Sequence, residues 1–125
     1  MIAAADKNLV SVIAVNWNGR RFLDGCLGSL SFQTHPDREV ILVDNGSMDS
    51  SVGFSREKFP DVRIVELGEN RGFSGGNLAG LNAAKGEFIA LVNNDTRADQ
   101  KWLETIIQPM LQDPTAVDEV AIIYL

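Results

Sequence analysis

Residues 9–19 read Leu-Val-Ser-Val-Ile-Ala-Val-Asn-Trp-Asn-Gly. Seven residues pass with only Ser11 to interrupt an apolar run rich in Val and Ile, and the polarity then changes abruptly at Asn16. A run without alternation has no face to offer water, so it predicts a strand buried on both sides in a parallel sheet. Further along the chain the pattern recurs at residues 39–43, 62–67 and 88–92, and a last strand is read over residues 120–125. Between these runs the spacing is helical. Phe22, Leu23, Cys26, Leu27 and Leu30 form one apolar stripe, and Trp102, Leu103, Ile106, Ile107, Met110 and Leu111 form another. Residues 74–85 are small and helix-compatible with Gly86 as a C-cap, and residues 50–59 form a weaker helix ended by Pro60. Pro109 falls inside the last helical pattern, where it is expected to kink or shorten the helix. Strand and helix alternating four times predict an α/β fold: a three-layer α/β/α sandwich with a mostly parallel sheet and right-handed crossovers.

The bulk composition narrows the function. The 125 residues suit one domain, and 45% hydrophobic with 22% charged residues is an ordinary globular balance. A net charge of −6 excludes a nucleic-acid partner, whose phosphates are held by Lys and Arg. A small diphosphate responds instead to its local site, where a divalent cation can reverse the sign. One cysteine, Cys26, rules out an internal disulfide, and no stretch approaches the ~20 apolar residues of a membrane span. The chain therefore reads as cytoplasmic, or peripheral to the inner face of a membrane through regions outside it.

In a parallel α/β sheet, ligands gather at the carboxyl ends of the strands. The first such loop, after Val15, is Asn16-Trp17-Asn18. It reads either as an indole that stacks on a base between two amides, or as a packed Trp17 followed by Asn18 as helix cap. The second is Asp44-Asn45-Gly46-Ser47-Met48-Asp49. Here Asp44 either accepts the imide N–H of uracil or thymine, a proton that cytosine lacks, or begins a capped turn. In the third loop, residues 70–77, glycines open a helix beside Arg71, which suits phosphate or tight helix–sheet packing. Its spacing is neither that of a dinucleotide fingerprint nor that of a phosphate loop of nucleotide triphosphatases. The fourth, Asn93-Asn94-Asp95-Thr96, offers hard oxygen ligands for Mg²⁺ or Mn²⁺, or an Asx turn into the next helix.

Taken together, the segments VSVIAVNWNG (10–19), CLGSLSFQ (26–33), EVILVDNGSMDSS (39–51), NRGFSGGNLAGLNAA (70–84), EFIALVNNDT (87–96) and WLE (102–104) resemble glycosyltransferase family 2. The likeness extends over residues 9–114 and looks most like the subgroup containing rhamnosyltransferases of cell-surface polysaccharides. It implies the GT-A fold, with residues 1–8 as an N-terminal extension and 9–125 as the nucleotide-sugar-binding domain. It also implies metal-assisted, inverting transfer of a hexosyl group from a UDP- or dTDP-linked sugar to a saccharide or lipid-linked acceptor. By position, Val15, Asn16, Trp17, Asn18 and Asp44 line the nucleoside pocket with Asn45 alongside. Asn70, Arg71, Gly72 and Asn77 border the diphosphate and sugar. Asn93, Asn94 and Asp95 stand where the family carries its Asp-x-Asp motif, with Asn93 replacing the first carboxylate. Asp95 is then the charged ligand of a Mg²⁺ or Mn²⁺ ion, with Asn93 as a neutral one, and the cation is expected to arrive with the diphosphate. The family's general base lies well downstream, in an acceptor-binding half, so it is expected beyond Leu125. Asp113, Asp118 and Glu119 sit too near the fourth helix to serve, and the chain reads as a truncated donor-binding part that is inactive alone.

Other residues and classes are set aside. His35 before Pro36 reads as a surface-loop residue, Cys26 as packing, and Asp61, Glu66, Glu69 and Glu87 as solvated. A phosphorylation-driven receiver domain needs an acidic cluster after the first strand, where Asn16-Trp17-Asn18 stand instead. A non-catalytic nucleotide-sugar-binding module remains the second reading, and acidic and acceptor-binding segments further along the gene discriminate against it.

Overall fold

The structure, a computed structural model, describes residues 6–112 and, as backbone, residues 121–124. Five strands, β1 (Asp6–Asn16), β2 (Arg38–Asp44), β3 (Arg63–Glu66), β4 (Gly86–Asn93) and β5 (Ala121–Tyr124), form one parallel sheet in the order β3-β2-β1-β4-β5. Four helices alternate with them: α1 (Arg20–Ser31), α2 (Ser51–Lys58), α3 (Gly72–Ala83) and α4 (Trp102–Gln112). The apolar runs separate by parity, as successive strand residues must. Val10, Val12, Ala14, Val40, Leu42, Phe88, Ala90 and Val92 pack against α1, α2 and α4, while Ile13, Ile41, Val43 and Ile89 pack against α3. The expected three-layer sandwich follows.

Several local expectations are revised. β1 begins at Asp6, so residues 6–8 of the expected extension belong to the sheet, with a register shift between Asp6 and Val10. Gly86 is not a C-cap. It opens β4, buried so tightly that a Cβ there would lie 2.6 Å from the Leu9 carbonyl oxygen. α4 continues through Pro109 to Gln112 rather than stopping short. His35 is only 8% exposed, with Nε2 3.4 Å from the Asn8 carbonyl oxygen, so it is no surface residue. Val120, Leu125 and the acids Asp113, Asp118 and Glu119 lie outside the described residues.

The crossovers also depart from a single hand. The first two connections step towards one edge with their helices on one face. The third steps back with α3 on the other face, which keeps the same hand. α4 returns to the face of α1 although β5 lies further in the direction of that last step, so the fourth connection has the opposite hand. Its cause is the segment before α4, which is tied along α1. Ala98 N–H donates to Ser29 Oγ at 3.0 Å, Gln33 Nε2 to the Asp99 carbonyl at 2.6 Å, and Thr34 N–H to the Gln100 carbonyl at 2.9 Å.

Cys26 sits on the buried stripe of α1 with no exposure, and burial, assisted by the Asp95 carboxylate, pushes its thiol up to about 12. Because the folded value is raised above the reference 9.0, its contribution to stability is intact below that pH and is lost as pH rises towards 12. The native chain is expected to leave an aromatic disulfide reagent unreacted at pH 8 and to consume one equivalent in urea. Rapid reaction of the native thiol would contradict this placement.

Candidate functional site

The parallel register gathers the strand ends on one rim. Asn16 pairs with Asp44, Asp44 with Glu66, and Val15 with Asn93. There the polar side chains close a network. Asn16 has no exposure; its Nδ2 donates to Asp44 Oδ1 at 3.1 Å and to Ser47 Oγ at 3.2 Å, and its Oδ1 accepts from Asn94 Nδ2 at 2.9 Å. Asp44, 3% exposed, also accepts Ser47 N–H at 2.9 Å on Oδ2, which closes the turn through Asn45 and Gly46. Ser47 Oγ in turn receives Asn18 N–H at 2.8 Å, and Asn18 Oδ1 receives Met48 N–H at 2.8 Å. Buried amides and carboxylates joined in this way hold the first two loops in one arrangement, because any one left unpaired costs ~1–3 kcal/mol.

Asp49 closes the outer side. Its Oδ2 accepts Arg20 N–H at 2.9 Å, so the start of α1 is held by a carboxylate from another loop. Burial alone would raise that carboxyl, but hydrogen bonds from Ser51 Oγ and from the N–H groups of Arg20 and Ser51 outweigh it and hold it below the usual range. Across the rim, Asn45, 3% exposed, donates from Nδ2 to the Gly72 carbonyl at 3.0 Å and accepts Arg71 N–H at 3.1 Å. Asn70 Oδ1 accepts Gly72 N–H at 2.8 Å, so the first N–H of α3 is held by a side chain, although Arg71 at the cap position makes no such bond itself. Gly72 has φ +76°, a left-handed turn that glycine adopts without strain, and nothing lies within 4 Å of where its Cβ would be.

A cleft of about 350 Å³ opens between these loops, lined by Val15, Trp17, Asn45, Asn70, Gly72, Phe73, Asn93 and Asn94. Trp17 is 56% exposed, which removes the alternative that it packs between sheet and helix. Asn18 does not cap α1 either; Gly19 occupies that position, and Asn18 itself takes φ +50° to reach Met48. Asp44 lines a separate groove of about 340 Å³ with Gly46, Ser47, Met48 and Glu66. Asn16 lines neither space and reaches the site only through its partners. Arg71 is exposed and 3.5 Å from Glu69, and Asn77 is half-buried one turn into α3. The packing alternative for the third loop holds for Gly76, where a Cβ would lie 2.5 Å from Val15, but not for Gly72.

Asp95 is exposed in the turn after β4, where Thr96 N–H donates to the Asn93 carbonyl at 3.0 Å. Among the described residues no three His, Cys, Asp or Glu side chains come close enough to hold a metal ion. The oxygens of the triplet have the hard character that Mg²⁺ and Mn²⁺ prefer, but one carboxylate fits such an ion only when phosphate oxygens complete its shell. Two features escaped the sequence reading. Ser47 was visible only as a turn residue, and the contact of Asn94 with Asn16 had no sequence signal, since the two are 78 residues apart.

Comparison with known proteins gives the arrangement its place. An uncharacterized glycosyltransferase of Nostoc sp. is 32% identical over 118 residues, which are 92% of this chain and 35% of that protein. The putative teichuronic acid biosynthesis glycosyltransferase TuaG of Bacillus subtilis is 30% identical over 109 residues, 85% of this chain and 43% of that one. Among solved structures, the mannosyltransferase PcManGT of Pyrobaculum calidifontis in complex with GDP-Man and Mn²⁺ superposes with a TM-score of 0.76 at 26% identity, over 91% of this chain and 36% of that one. TarS of S. aureus, at 24% identity and TM-score 0.75 over 82% of this chain and 33% of that one, shares the fold. The chain thus spans about a third of the length of most of these proteins. The fold is the GT-A fold of these transferases, and with a match over residues 11–124 the chain belongs to glycosyl transferase family 2.

Proposed function

We propose that the chain is the donor-binding part of an inverting glycosyltransferase that takes a hexosyl group, with rhamnose as candidate, from a UDP- or dTDP-linked sugar. The observation that carries this reading is the rim cleft, where the exposed Trp17 stands beside the amides of Asn45, Asn70, Asn93 and Asn94. An indole stacks on a base, and amides satisfy the hydroxyls of ribose and sugar. The base spans from Trp17 to the neighbouring groove, where Asp44 accepts its imide proton through the lone pairs that Asn16 and Ser47 leave unused. The glycine-rich start of α3, with Arg71 beside it, receives the diphosphate. Asp95, with Asn93, would hold a Mg²⁺ or Mn²⁺ ion arriving with the diphosphate, and that ion would neutralise charge on the leaving group. PcManGT, solved with GDP-Man and Mn²⁺, supports a nucleotide sugar with a cation.

In the reaction, an acceptor hydroxyl oxygen bonds to the anomeric carbon from the face opposite the diphosphate. The C–O bond to the β-phosphate breaks with its electron pair leaving on the phosphate oxygen, and the acceptor proton passes to a general base. The acceptor is a saccharide or lipid-linked glycan; the biosynthetic role in the name of TuaG supports a surface polymer. The general base and the acceptor-binding half are assigned to the portion of its relatives' length that this chain does not span.

Calorimetry with UDP, dTDP, GDP and CDP, each with and without Mn²⁺, tests the reading. UDP or dTDP with Mn²⁺ is expected to bind tenfold or more tightly than CDP, because cytosine leaves the Asp44 acceptor unpaired at ~1–3 kcal/mol. Asp95→Ala is expected to reduce the affinity to its metal-free value. Identical wild-type affinity with and without Mn²⁺ would remove the cation from the proposal, equal binding of CDP and UDP would remove the role of Asp44, and tightest binding of GDP would reassign the base.

A further inference from the structure

Asn45 spends both ends of its side chain on one stretch of another loop. The amide nitrogen donates to the Gly72 carbonyl at 3.0 Å while the amide oxygen accepts Arg71 N–H at 3.1 Å. Its own backbone is fixed to β1, with Asn45 N–H donating to the Asn16 carbonyl at 2.8 Å. The side chain also lies under the first turn of α3, where a Cβ on Gly76 would stand 3.1 Å from Nδ2. The neighbouring backbone is equally tight. Gly46, at φ +82°, lies so close to Glu69 that a Cβ would stand 2.9 Å from its Cα. A carboxylate of the same shape accepts but cannot donate, and a hydroxyl is too short to span both partners, so the pairing demands a primary amide of this length.

We infer that Asn45 is a positioning residue: it fastens the loop that receives the diphosphate, residues 70–72, to the loop that recognises the base, residues 44–47. The inference rests on the donor-site reading above and deepens it. Gly72 has a positive φ and nothing within 4 Å of its Cβ position, and its neighbour Arg71 is exposed, so hydrogen bonds rather than side-chain packing hold this backbone. The amide of Asn45, with Asn70 Oδ1 on Gly72 N–H, therefore sets where their N–H groups and the start of α3 lie. Loss of the clamp loosens the diphosphate end of the cleft and leaves the nucleoside end, held by Asp44, Asn16 and Ser47, in place.

Uridine and UDP, each with Mg²⁺, are titrated by NMR into the 125-residue chain, into Asn45→Asp and into Gly72→Ala. Asn45→Asp keeps the shape and the bond from Arg71 N–H, but sets a carboxylate oxygen against the Gly72 carbonyl. It is expected to weaken UDP tenfold or more while uridine stays within twofold. Gly72→Ala strains the same loop without altering Asn45 and is expected to give the same pattern, which guards against an Asn45 variant that fails to fold. Uridine and UDP weakened together, or UDP unchanged, in Asn45→Asp would overturn the inference. A wild-type chain that binds neither uridine nor UDP overturns the base and donor reading itself, and with it the inference, before any variant is made.

Discussion

Replacing Asn16 by aspartate should make the stability of this protein depend steeply on pH. The substitution is isosteric at a fully buried position, so it opens no cavity and forces no clash. It exchanges a donor for an acceptor 3.1 Å from Asp44 Oδ1. Two carboxylates that close cannot both ionise, so the introduced carboxyl keeps a proton to a higher pH in the folded chain than in the unfolded one. A raised folded value gives stability at low pH that is lost as pH climbs through it. Near pH 4 the shared proton bridges the two groups and Asn16→Asp should approach the wild type. By pH 8 it should be less stable by about 3 kcal/mol, since one partner of such a pair shifts by ~2 units and each unit carries ~1.4 kcal/mol. Asn16→Ala provides the control, with a loss that changes little over that range. Urea unfolding from pH 4 to 8 reads the difference, and a constant gap between Asn16→Asp and wild type would show that the two side chains do not face each other.

The second large effect is the absence of turnover from the 125-residue chain by itself. Every strand end of the donor cleft is present, so nucleotide binding is expected to survive. Among the described residues the acids at the rim are already engaged: Asp44 in the buried network, Asp49 with Arg20 and Ser51, Glu66 with Arg56, Glu69 with Arg71, and Asp95 as the proposed cation ligand. None of these is left to take the acceptor proton, and loss of a positioned general base costs ~10²–10⁴ in rate. Without residues to orient the acceptor, the deficit grows further, because effective concentration at the anomeric carbon is lost as well. Acceptor-dependent donor consumption by this chain, compared with a longer product of the same gene, is the measurement. Comparable rates in the two would mean that the catalytic half lies within residues 1–125. A non-catalytic binding module would instead show no turnover in either.

Much of the site was legible because strand ends in a parallel sheet must lie on one rim. Polar residues directly after an apolar run could be assigned to that rim without coordinates. Which of them face a ligand was not legible. Asn16 and Asn18 flank Trp17 symmetrically in sequence, yet Asn16 is interior and Asn18 is exposed, because Asn16 is the last residue of β1, covered by Asp44 and Asn94, while Asn18 lies past the strand end and turns out at φ +50°. Asp44 carries the sequence signature of a base-binding carboxylate and of a turn residue at once, and its carboxylate holds the turn through Ser47 N–H. His35 looked solvated beside Pro36, but the Asn8 backbone covers it, a contact across 27 residues that local composition does not encode.

By itself the sequence determined the class of the fold and the rim on which the candidate site is sought, since hydrophobic periodicity depends on neighbours within a few residues and burial on both faces demands helices on both sides. Only the tertiary structure decided that α4 returns to the face of α1, that Trp17 stands in solvent, and that Asn45 clamps the glycine loop. Those outcomes turn on hydrogen bonds between residues far apart in the chain, whose formation depends on where the sheet has already brought the backbone.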